Sequence, residues 1–354
     1  MSLQDIKSKT KEELQEWLKE RGQPAYRGRQ VFRWLHQVGV ESFEEMTDLP
    51  RELRQGLAER CYIASAQVSR RQVSRLDGTV KYLFRLFDGE HVECVLMEYH
   101  HGVSICISTQ VGCKMGCTFC ATGKSGFSRN LTASEMLAQV QAAQKDSGKR
   151  VSNIVLMGMG EPLDNYDQVL RFLRLVSCGE GLNIGMRHIS LSTCGLVDKI
   201  YQLEKERLQL TLSVSLHAPN DEIRSRTMPV NQKWNVEQLL AACRSYAGAT
   251  GRRISFEYAM IRGVNDSDAC ARELAGRLEG MLCHVNLIPV NDVTGNQYRK
   301  STVERQKRFV SILERKGIPA TVRRTLGSDI DASCGQLRRR AEEGGAIHAV
   351  VRQK

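Results

Sequence analysis

No run of apolar residues in this 354-residue sequence approaches the roughly 18 residues that a helix needs to cross a membrane. The N-terminal segment MSLQDIKSKTKEELQ lacks the apolar stretch of a secretory signal peptide. Repeats and low-complexity tracts are absent, and the 41% hydrophobic and 26% charged residues are close to globular averages. These absences exclude membrane-spanning, collagen-like, coiled-coil and disordered proteins. They predict a folded cytoplasmic protein with either two domains or one large core and an appendage.

The sequence contains twelve cysteines but nothing that indicates an oxidising compartment. A disulfide framework is therefore not predicted, and the cysteines are expected to be thiols, metal ligands or catalytic groups. Their spacing becomes the informative property.

Basic residues outnumber acidic ones by 51 to 40, which gives a net charge of +11. The first hundred residues are balanced, and most of the excess lies in residues 101–150 and 301–354. Residues 21–40 contain four arginines and no carboxylate. Such stretches either bind a polyanion such as RNA or form a solvated basic face.

Changes in residue pattern divide the chain into four predicted segments. These are a helical accessory domain at 1–60, a short β-rich lead-in at 61–98, an α/β core at 99–334 and a basic tail at 335–354. In the first segment, Thr10 and Glu13 have the spacing of a helix capping box, and Gly22 is a helix stop signal.

Strand-like runs alternate with helix-like stretches throughout the core. The strands are predicted at 105–109, 151–157, 188–192, 210–216, 254–260 and 284–289, with a further strand near 321–323. The helices are predicted near 132–146, 165–177, 198–206, 235–247, 267–279 and 301–316. This alternation predicts a parallel sheet with right-handed crossovers, in which functional groups gather at the carboxyl ends of the strands.

Three cysteines follow the first core strand with C-x3-C-x2-C spacing: Cys113, Cys117 and Cys120. Structural zinc sites close with four ligands, whereas three cysteines leave one iron of a [4Fe–4S] cluster free to bind another molecule. The spacing favours a cluster with an open position. Ordinary thiols, or a zinc site completed by a distant ligand, are the alternatives.

The cysteine loop, with Phe119 before its last cysteine, resembles the cluster loop of the radical S-adenosylmethionine superfamily. The segment 158–162 (GMGEP) follows the next strand and resembles the glycine-rich motif with which that superfamily binds the methionine amino group. The resemblance implies a [4Fe–4S] cluster whose free iron chelates S-adenosylmethionine. One electron then cleaves the sulfonium to methionine and a 5′-deoxyadenosyl radical.

Further motifs lie at 43–50, 110–113, 119–123, 126–132, 192–195, 215–220, 286–289 and 329–337. Together they resemble the bacterial 23S rRNA (adenine-C2)-methyltransferases, dual-specificity enzymes that also modify tRNA, over nearly the whole chain. The resemblance implies a partial (β/α)6 TIM-type radical SAM barrel with an N-terminal helical accessory domain. It also implies a monomer without a membrane partner that takes electrons from a donor such as flavodoxin or ferredoxin.

The resemblance implies a set of residues around S-adenosylmethionine: Gly160, Glu161, Ser192, Ser215, Leu216, His217 and Asn291. From the residues alone, Ser192 and Ser215 are equally consistent with caps at strand ends. His217 is equally consistent with a hydrogen-bonded core residue.

Adenine C2 lies between two ring nitrogens and is electron-poor, so it does not attack an electrophilic methyl group and a radical route is required. In the family, one S-adenosylmethionine methylates a C-terminal cysteine, and a second supplies the radical, which makes two per turnover. Cys334 matches the methyl carrier, Cys106 the cysteine that resolves the RNA adduct through a transient disulfide, and Glu93 the proton acceptor. Without the resemblance, Cys106 is equally consistent with a buried inert thiol and Glu93 with an ordinary strand carboxylate.

Two alternatives remain open at this point. One is methylation of adenine C8, as in the related antibiotic-resistance enzymes, and the other is a non-catalytic Fe–S protein that binds RNA. The candidate phosphate contacts are Lys124, Arg129, Arg323, Arg324, Arg338, Arg339 and Arg340. Residues 292–295 depart from the proline-bearing loop expected after Asn291, which leaves the local RNA contacts open.

Overall fold

The computed structural model describes residues 3–290, 298–330 and 337–338. Its helices are α1 Lys11–Lys19, α2 Tyr26–Arg33, α3 Arg51–Arg60, α4 Ala121–Lys124, α5 Ala133–Ser147, α6 Tyr166–Ser177, α7 Val197–Lys205, α8 Asp221–Thr227, α9 Val236–Thr250, α10 Asp268–Leu278 and α11 Val303–Arg315. A π-helical segment, Trp34–Val38, extends α2. Single 3-10 turns lie at Phe43–Glu45, Pro162–Asn165, Met186–His188 and Pro229–Gln232.

Fourteen strands complete the described structure. They are β1 Gln4–Asp5, β2 Cys61–Tyr62, β3 Gln67–Val73, β4 Val80–Arg85, β5 His91–Tyr99, β6 Gly102–Cys106, β7 Gln110–Gly112, β8 Phe127–Asn130, β9 Val151–Leu156, β10 Ile189–Thr193, β11 Thr211–Ser215, β12 Ile254–Met260, β13 Cys283–Pro289 and β14 Ala320–Val322.

The N-terminal helices form a small bundle, as the sequence predicts. The capping box of α1 is present: the Thr10 side chain accepts from the Glu13 N–H and the Glu13 side chain accepts from the Thr10 N–H. Leu14, Trp17 and Leu18 are buried on one face of α1, so the bundle is stabilised by packing of that amphipathic face.

One ten-stranded sheet dominates the fold, in the order β14-β13-β12-β11-β10-β9-β6-β5-β4-β3. The strands from β6 through β9 to β14 are all parallel, and helices connect most of them. This confirms the predicted α/β core with a parallel sheet, and each predicted core strand matches an observed one. The first is displaced: Gly102–Cys106 replaces the predicted 105–109.

The predicted lead-in is continuous with the core sheet. Strands β3, β4 and β5 form an antiparallel meander that pairs with β6. In this register Lys81 lies opposite Val95, which lies opposite Cys106. Side chains opposite one another across strands share a face, so Lys81 and Cys106 are on the same side of the sheet.

Helices that cross a membrane are not found in the described ranges. Nor is any described cysteine in a disulfide. Cys334, the expected partner of Cys106, lies outside the described residues.

Candidate active site

A glycine-dependent turn fixes the cysteine loop to the hairpin of β7 and β8. Gly112 has φ +81°, and a Cβ there would lie 2.0 Å from the Gly126 carbonyl oxygen. The Cys113 N–H donates to that same carbonyl at 2.8 Å. Because only glycine allows this approach, the sequence around Cys113 specifies how the loop leaves the strand.

Cys113, Cys117 and Cys120 line one cavity of about 330 Å³ at the carboxyl ends of the parallel strands. Most of the predicted S-adenosylmethionine contacts line the same cavity: Gly160, Glu161, Ser192, Ser215 and His217. A volume of this size lies within the range of small-molecule sites. The structure therefore brings the predicted cluster ligands and these contacts together.

The three thiols are chemically suited to an iron cluster. Burial, together with the neighbouring cysteines, raises the pKa of Cys113 and of Cys117 to about 12. Positive iron would offset this cost, since thiolates are its ligands. In the described ranges no three His, Cys, Asp or Glu side chains have the spacing for a single metal ion.

The turn after β9 has no room for side chains. A Cβ on Gly158 would lie 2.5 Å from the Ile107 carbonyl oxygen, and one on Gly160, at φ +104°, would lie 2.6 Å from the Gln110 Cβ. Gln110 Oε1 accepts from the Glu161 N–H at 2.8 Å. These contacts hold the backbone of the turn against β7 and expose its polar groups to the cavity.

The Glu161 carboxyl group is 4% exposed and is held by main-chain donors. One oxygen accepts from the Leu163 N–H at 3.0 Å and the other from the Cys194 N–H at 2.7 Å. Burial raises the pKa of Glu161, and these bonds oppose the rise. Glu161 thus joins the ends of two neighbouring strands at the cavity wall.

Gly158→Ala is expected to destabilise the protein by about 1–3 kcal/mol, since a methyl group does not fit against the Ile107 carbonyl. Gly276→Ala is the control, because that position lies in α10 with no atom near its added Cβ, and it should stabilise by about 0.5–1 kcal/mol. Denaturant unfolding of both variants measures the difference. Equal midpoints would contradict the close contact.

His217 has an unusual backbone and a defined hydrogen bond. Its φ is +57°, in the left-handed region that non-glycine residues rarely occupy. Its Nδ1 accepts from the Ala259 N–H at 2.9 Å, and its ring makes an edge contact with Phe119 at 5.0 Å. Burial lowers the pKa of His217 to about 3. At neutral pH the ring is therefore neutral, and Nε2 carries the proton as a donor.

Leu216, by contrast, does not line the cavity: its side chain is fully buried. Its carbonyl accepts from Arg224 Nε at 3.2 Å. Arg224 is 0% exposed, and its Nη2 also donates to the carbonyls of Cys194 at 2.6 Å and Ser215 at 3.3 Å. Arg224 therefore connects the carboxyl ends of β10 and β11 by hydrogen bonds to their main-chain carbonyls. The sequence did not reveal this role.

A second cavity lies beside the first and contains Glu93 and Cys106. Glu93 Oε2 accepts from Lys81 Nζ at 2.6 Å, with both side chains 1% exposed. Its Oε1 accepts from the Arg338 N–H at 2.6 Å. Burial raises the pKa of the Cys106 thiol, and Arg323 and Lys81 oppose the rise. A carboxylate, a buried ammonium and a thiol thus share one chamber.

The two cavities are adjoining, because five residues line both: Met157, Gly158, Ile288, Pro289 and Arg323. Glu257 faces the first cavity and accepts from Asn286 Nδ2 at 2.7 Å and from Ser255 Oγ at 3.0 Å. Glu257 lies in the middle of β12 and was not predicted as a site residue. Arg323 follows β14 directly and was predicted only as a phosphate contact.

Several predicted residues fall elsewhere. Asn291, Cys334, Arg339 and Arg340 lie outside the described residues. Arg129 is not available as a phosphate contact, since it is paired with Asp88 at 2.7 Å and with Glu135 at 2.8 Å. Arg338 is buried, 3.6 Å from Glu90. Lys124, Arg323 and Arg324 are exposed, as an RNA contact requires.

Comparison with known proteins gives concordant matches. Residues 107–272 match the radical SAM superfamily, and residues 4–63 match the ribosomal RNA large subunit methyltransferase N-terminal domain. The chain is 52% identical to the probable dual-specificity RNA methyltransferase RlmN of Alkaliphilus oremlandii (strain OhILAs), over 95% of this chain and 98% of that one. A relative of the same name from Clostridium tetani is 51% identical, with 93% and 94% covered.

A solved structure is similar over almost the same extent. The crystal structure of a radical SAM methyltransferase from Sphaerobacter thermophilus superposes with a TM-score of 0.89 at 49% identity. The alignment covers 94% of this chain and 98% of that one. Both matched regions therefore occur together in one chain of known architecture.

Proposed function

Because this chain belongs to the RlmN family of radical SAM dual-specificity RNA methyltransferases, we propose that it methylates C2 of an adenine in 23S rRNA and in tRNA. It acts in the cytoplasm as a monomer. The observation that carries the proposal is the junction of two cavities, one with the cluster cysteines and one with Glu93 and Cys106.

The first cavity is proposed to hold a [4Fe–4S] cluster on Cys113, Cys117 and Cys120, with S-adenosylmethionine beside it. When bound, these groups supply the methyl donor and, after uptake of one electron, the radical that abstracts hydrogen. The polar groups on the cavity wall bind and orient the ligand: the main chain at Gly160, the hydroxyls of Ser192 and Ser215 and the Nε2 proton of His217. Asn291, outside the described residues, is proposed to join them.

The second cavity is proposed to receive the target adenine. Glu93 takes the proton from C2, and the Lys81 ammonium holds the carboxylate in place through the 2.6 Å ion pair. Cys106 is proposed to release the product: its thiolate bonds to the Cys334 sulfur, the bond from that sulfur to the transferred carbon breaks, and the carbon leaves with the electron pair and takes up a proton to become the methyl group.

Cys334 is proposed to carry the methyl group between two S-adenosylmethionine molecules. Three residues after it, Leu337 is fully buried against Leu83, which pairs with Glu93 across the strands. The next residue, Arg338, donates its N–H to Glu93. The chain that follows Cys334 is thus anchored at the proposed base-binding cavity, and this supports the role.

Exposed cations near the cavities are proposed to contact RNA phosphates. Arg323 and Arg324 line the cavity of Cys106, and Lys124 follows the cluster loop. Phosphate contacts supply affinity, whereas an adenine turned out of its helix is selected inside the cavity. The predicted basic face of 21–40 would extend this surface.

The proposal is tested by mass spectrometry of adenosines in cells that lack their own enzyme and express this chain. We expect 2-methyladenosine in 23S rRNA and tRNA with the natural protein and none with Cys117→Ala. Reconstituted natural protein should hold about four irons per chain, and Cys117→Ala markedly fewer. Cys178→Ala, a half-buried thiol after α6, is the control and should retain both. Appearance of 8-methyladenosine instead would contradict the proposed C2 selectivity.

A further inference from the structure

We propose that an acidic one-electron donor protein, of the flavodoxin type, docks on a surface formed by Lys114, Lys199, Lys233 and Trp234. We call these four residues the lysine surface. The inference rests on the proposed function, since it requires a cluster on Cys113, Cys117 and Cys120. At this surface the donor loses one electron and the cluster gains it, and neither protons nor atoms are exchanged.

The lysine surface is the outer side of the cluster loop. It lines a concavity that also contains Met115, Pro229 and Val230. Lys114 and Met115 lie between the first two cluster cysteines in sequence, and Met115 lines the S-adenosylmethionine cavity as well. One side chain therefore separates the concavity from the cluster cavity.

The cluster loop is packed directly on the segment that carries Lys233 and Trp234. The Thr118 N–H donates to the Thr227 carbonyl at 3.0 Å. A Cβ on Gly116 would lie 3.6 Å from Pro229 Cγ. A protein seated on this segment would therefore lie against the loop itself.

The lysines present positive charge that is available to a partner. Lys199 Nζ lies 5.0 Å above the Tyr166 ring, and Lys233 Nζ lies 4.2 Å above the Trp234 ring. Within the described ranges, no carboxylate is within ion-pair distance of either lysine. Lys114 pairs with Asp164 at 2.8 Å, but its side chain is still 53% exposed. Ion pairs at the surface contribute little free energy, so a partner can compete for this lysine.

The composition of the concavity fits a transient protein partner. Its centre is apolar, with Trp234, Pro229 and Val230, and its rim carries the three lysines and two carboxylates, Asp164 and Asp198, which leaves a net positive charge. Apolar centres with charged rims are typical of protein interfaces. Electron-transfer complexes have some of the smallest buried interface areas, so a small concavity is sufficient for one. Positive charge on the rim attracts an acidic partner and accelerates its association.

RNA is the less suitable occupant of this surface. The cavity proposed for the target adenine contains Cys106, Arg323 and Arg324, and it shares no lining residue with the concavity. RNA bound at those arginines would leave the lysine surface open. Donor and substrate could then be bound at the same time.

The test is Lys199→Glu/Lys233→Glu in the holoenzyme, with formation of 5′-deoxyadenosine as the readout. With reduced flavodoxin as the donor, we expect the KM for flavodoxin to rise about tenfold or more, because attraction is replaced by repulsion. With dithionite, a small chemical reductant, the rate should equal that of the natural protein. Lys307→Glu/Lys316→Glu changes charge equally on exposed residues in and after α11 and should leave both rates unchanged.

Two results would overturn the docking surface. One is an unchanged KM for flavodoxin, and the other is an equal loss with flavodoxin and dithionite, which would point to RNA binding or folding. Failure of the natural protein to methylate RNA with dithionite would instead contradict the proposed function. Binding of flavodoxin to the holoenzyme, measured by titration, tests the surface in that case too: the dissociation constant should rise about tenfold in the lysine variant.

Discussion

Cys106→Ala is expected to accumulate as protein covalently joined to RNA, whereas Cys334→Ala should form neither the adduct nor methylated adenine. The asymmetry follows from the proposed roles. Without the methyl carrier no carbon reaches the base, but without the resolving thiol the carbon reaches the base and the product stays attached. The position of Cys106 supports this, since its thiol lines the same chamber as Glu93 and is 9% exposed.

Denaturing gels of each variant expressed in cells, with and without ribonuclease, give the measurement. We expect a ribonuclease-sensitive shift for Cys106→Ala only. Cys94→Ala is the matched control, because Cys94 is the adjacent buried cysteine on β5 and lines the same cavity without an assigned role. If Cys106→Ala purifies free of RNA while methylated Cys334 is detected by mass spectrometry, the resolving role is wrong. Residual methylation by Cys334→Ala would contradict the carrier role.

Arg224→Met is expected to lower the free energy of unfolding by about 3–5 kcal/mol, because it removes one member of a fully buried polar network. Arg224 donates to Asn231 Oδ1 at 3.0 Å in addition to the strand-end carbonyls. Methionine matches its length but leaves these acceptors buried without a donor. Burial lowers the pKa of Arg224, which reflects the cost of burying its charge, and the hydrogen bonds of the network offset that cost.

Chemical denaturation compares Arg224→Met with Arg226→Met. Arg226 lies on the same helix, α8, and makes only an exposed pair with Glu222 at 2.5 Å. Its loss should cost less than about 1 kcal/mol. Equal stabilities of the two variants would show that Arg224 is not a structural clamp.

The parallel sheet, its helices and most of the cavity were predictable from sequence because their signals are local. The capping box at Thr10 and the cluster motif are read over a few residues. Lys81 and Arg224 were not predictable, because a charged residue in a strand or helix is indistinguishable from a surface residue until its partners are known. Arg129 shows the same limit, since its partner Asp88 is 41 residues away.

The antiparallel meander also has a mechanical consequence. Glu93 and Lys81 belong to strands β5 and β4, and hydrogen bonds connect those strands without interruption through β6 to β9 and β10. Glu93, the proposed proton acceptor, and the wall of the cavity proposed for S-adenosylmethionine therefore belong to one hydrogen-bonded sheet, in which local opening is costly. We therefore expect the motions that admit a nucleotide or expel a product to arise in the connections outside the sheet.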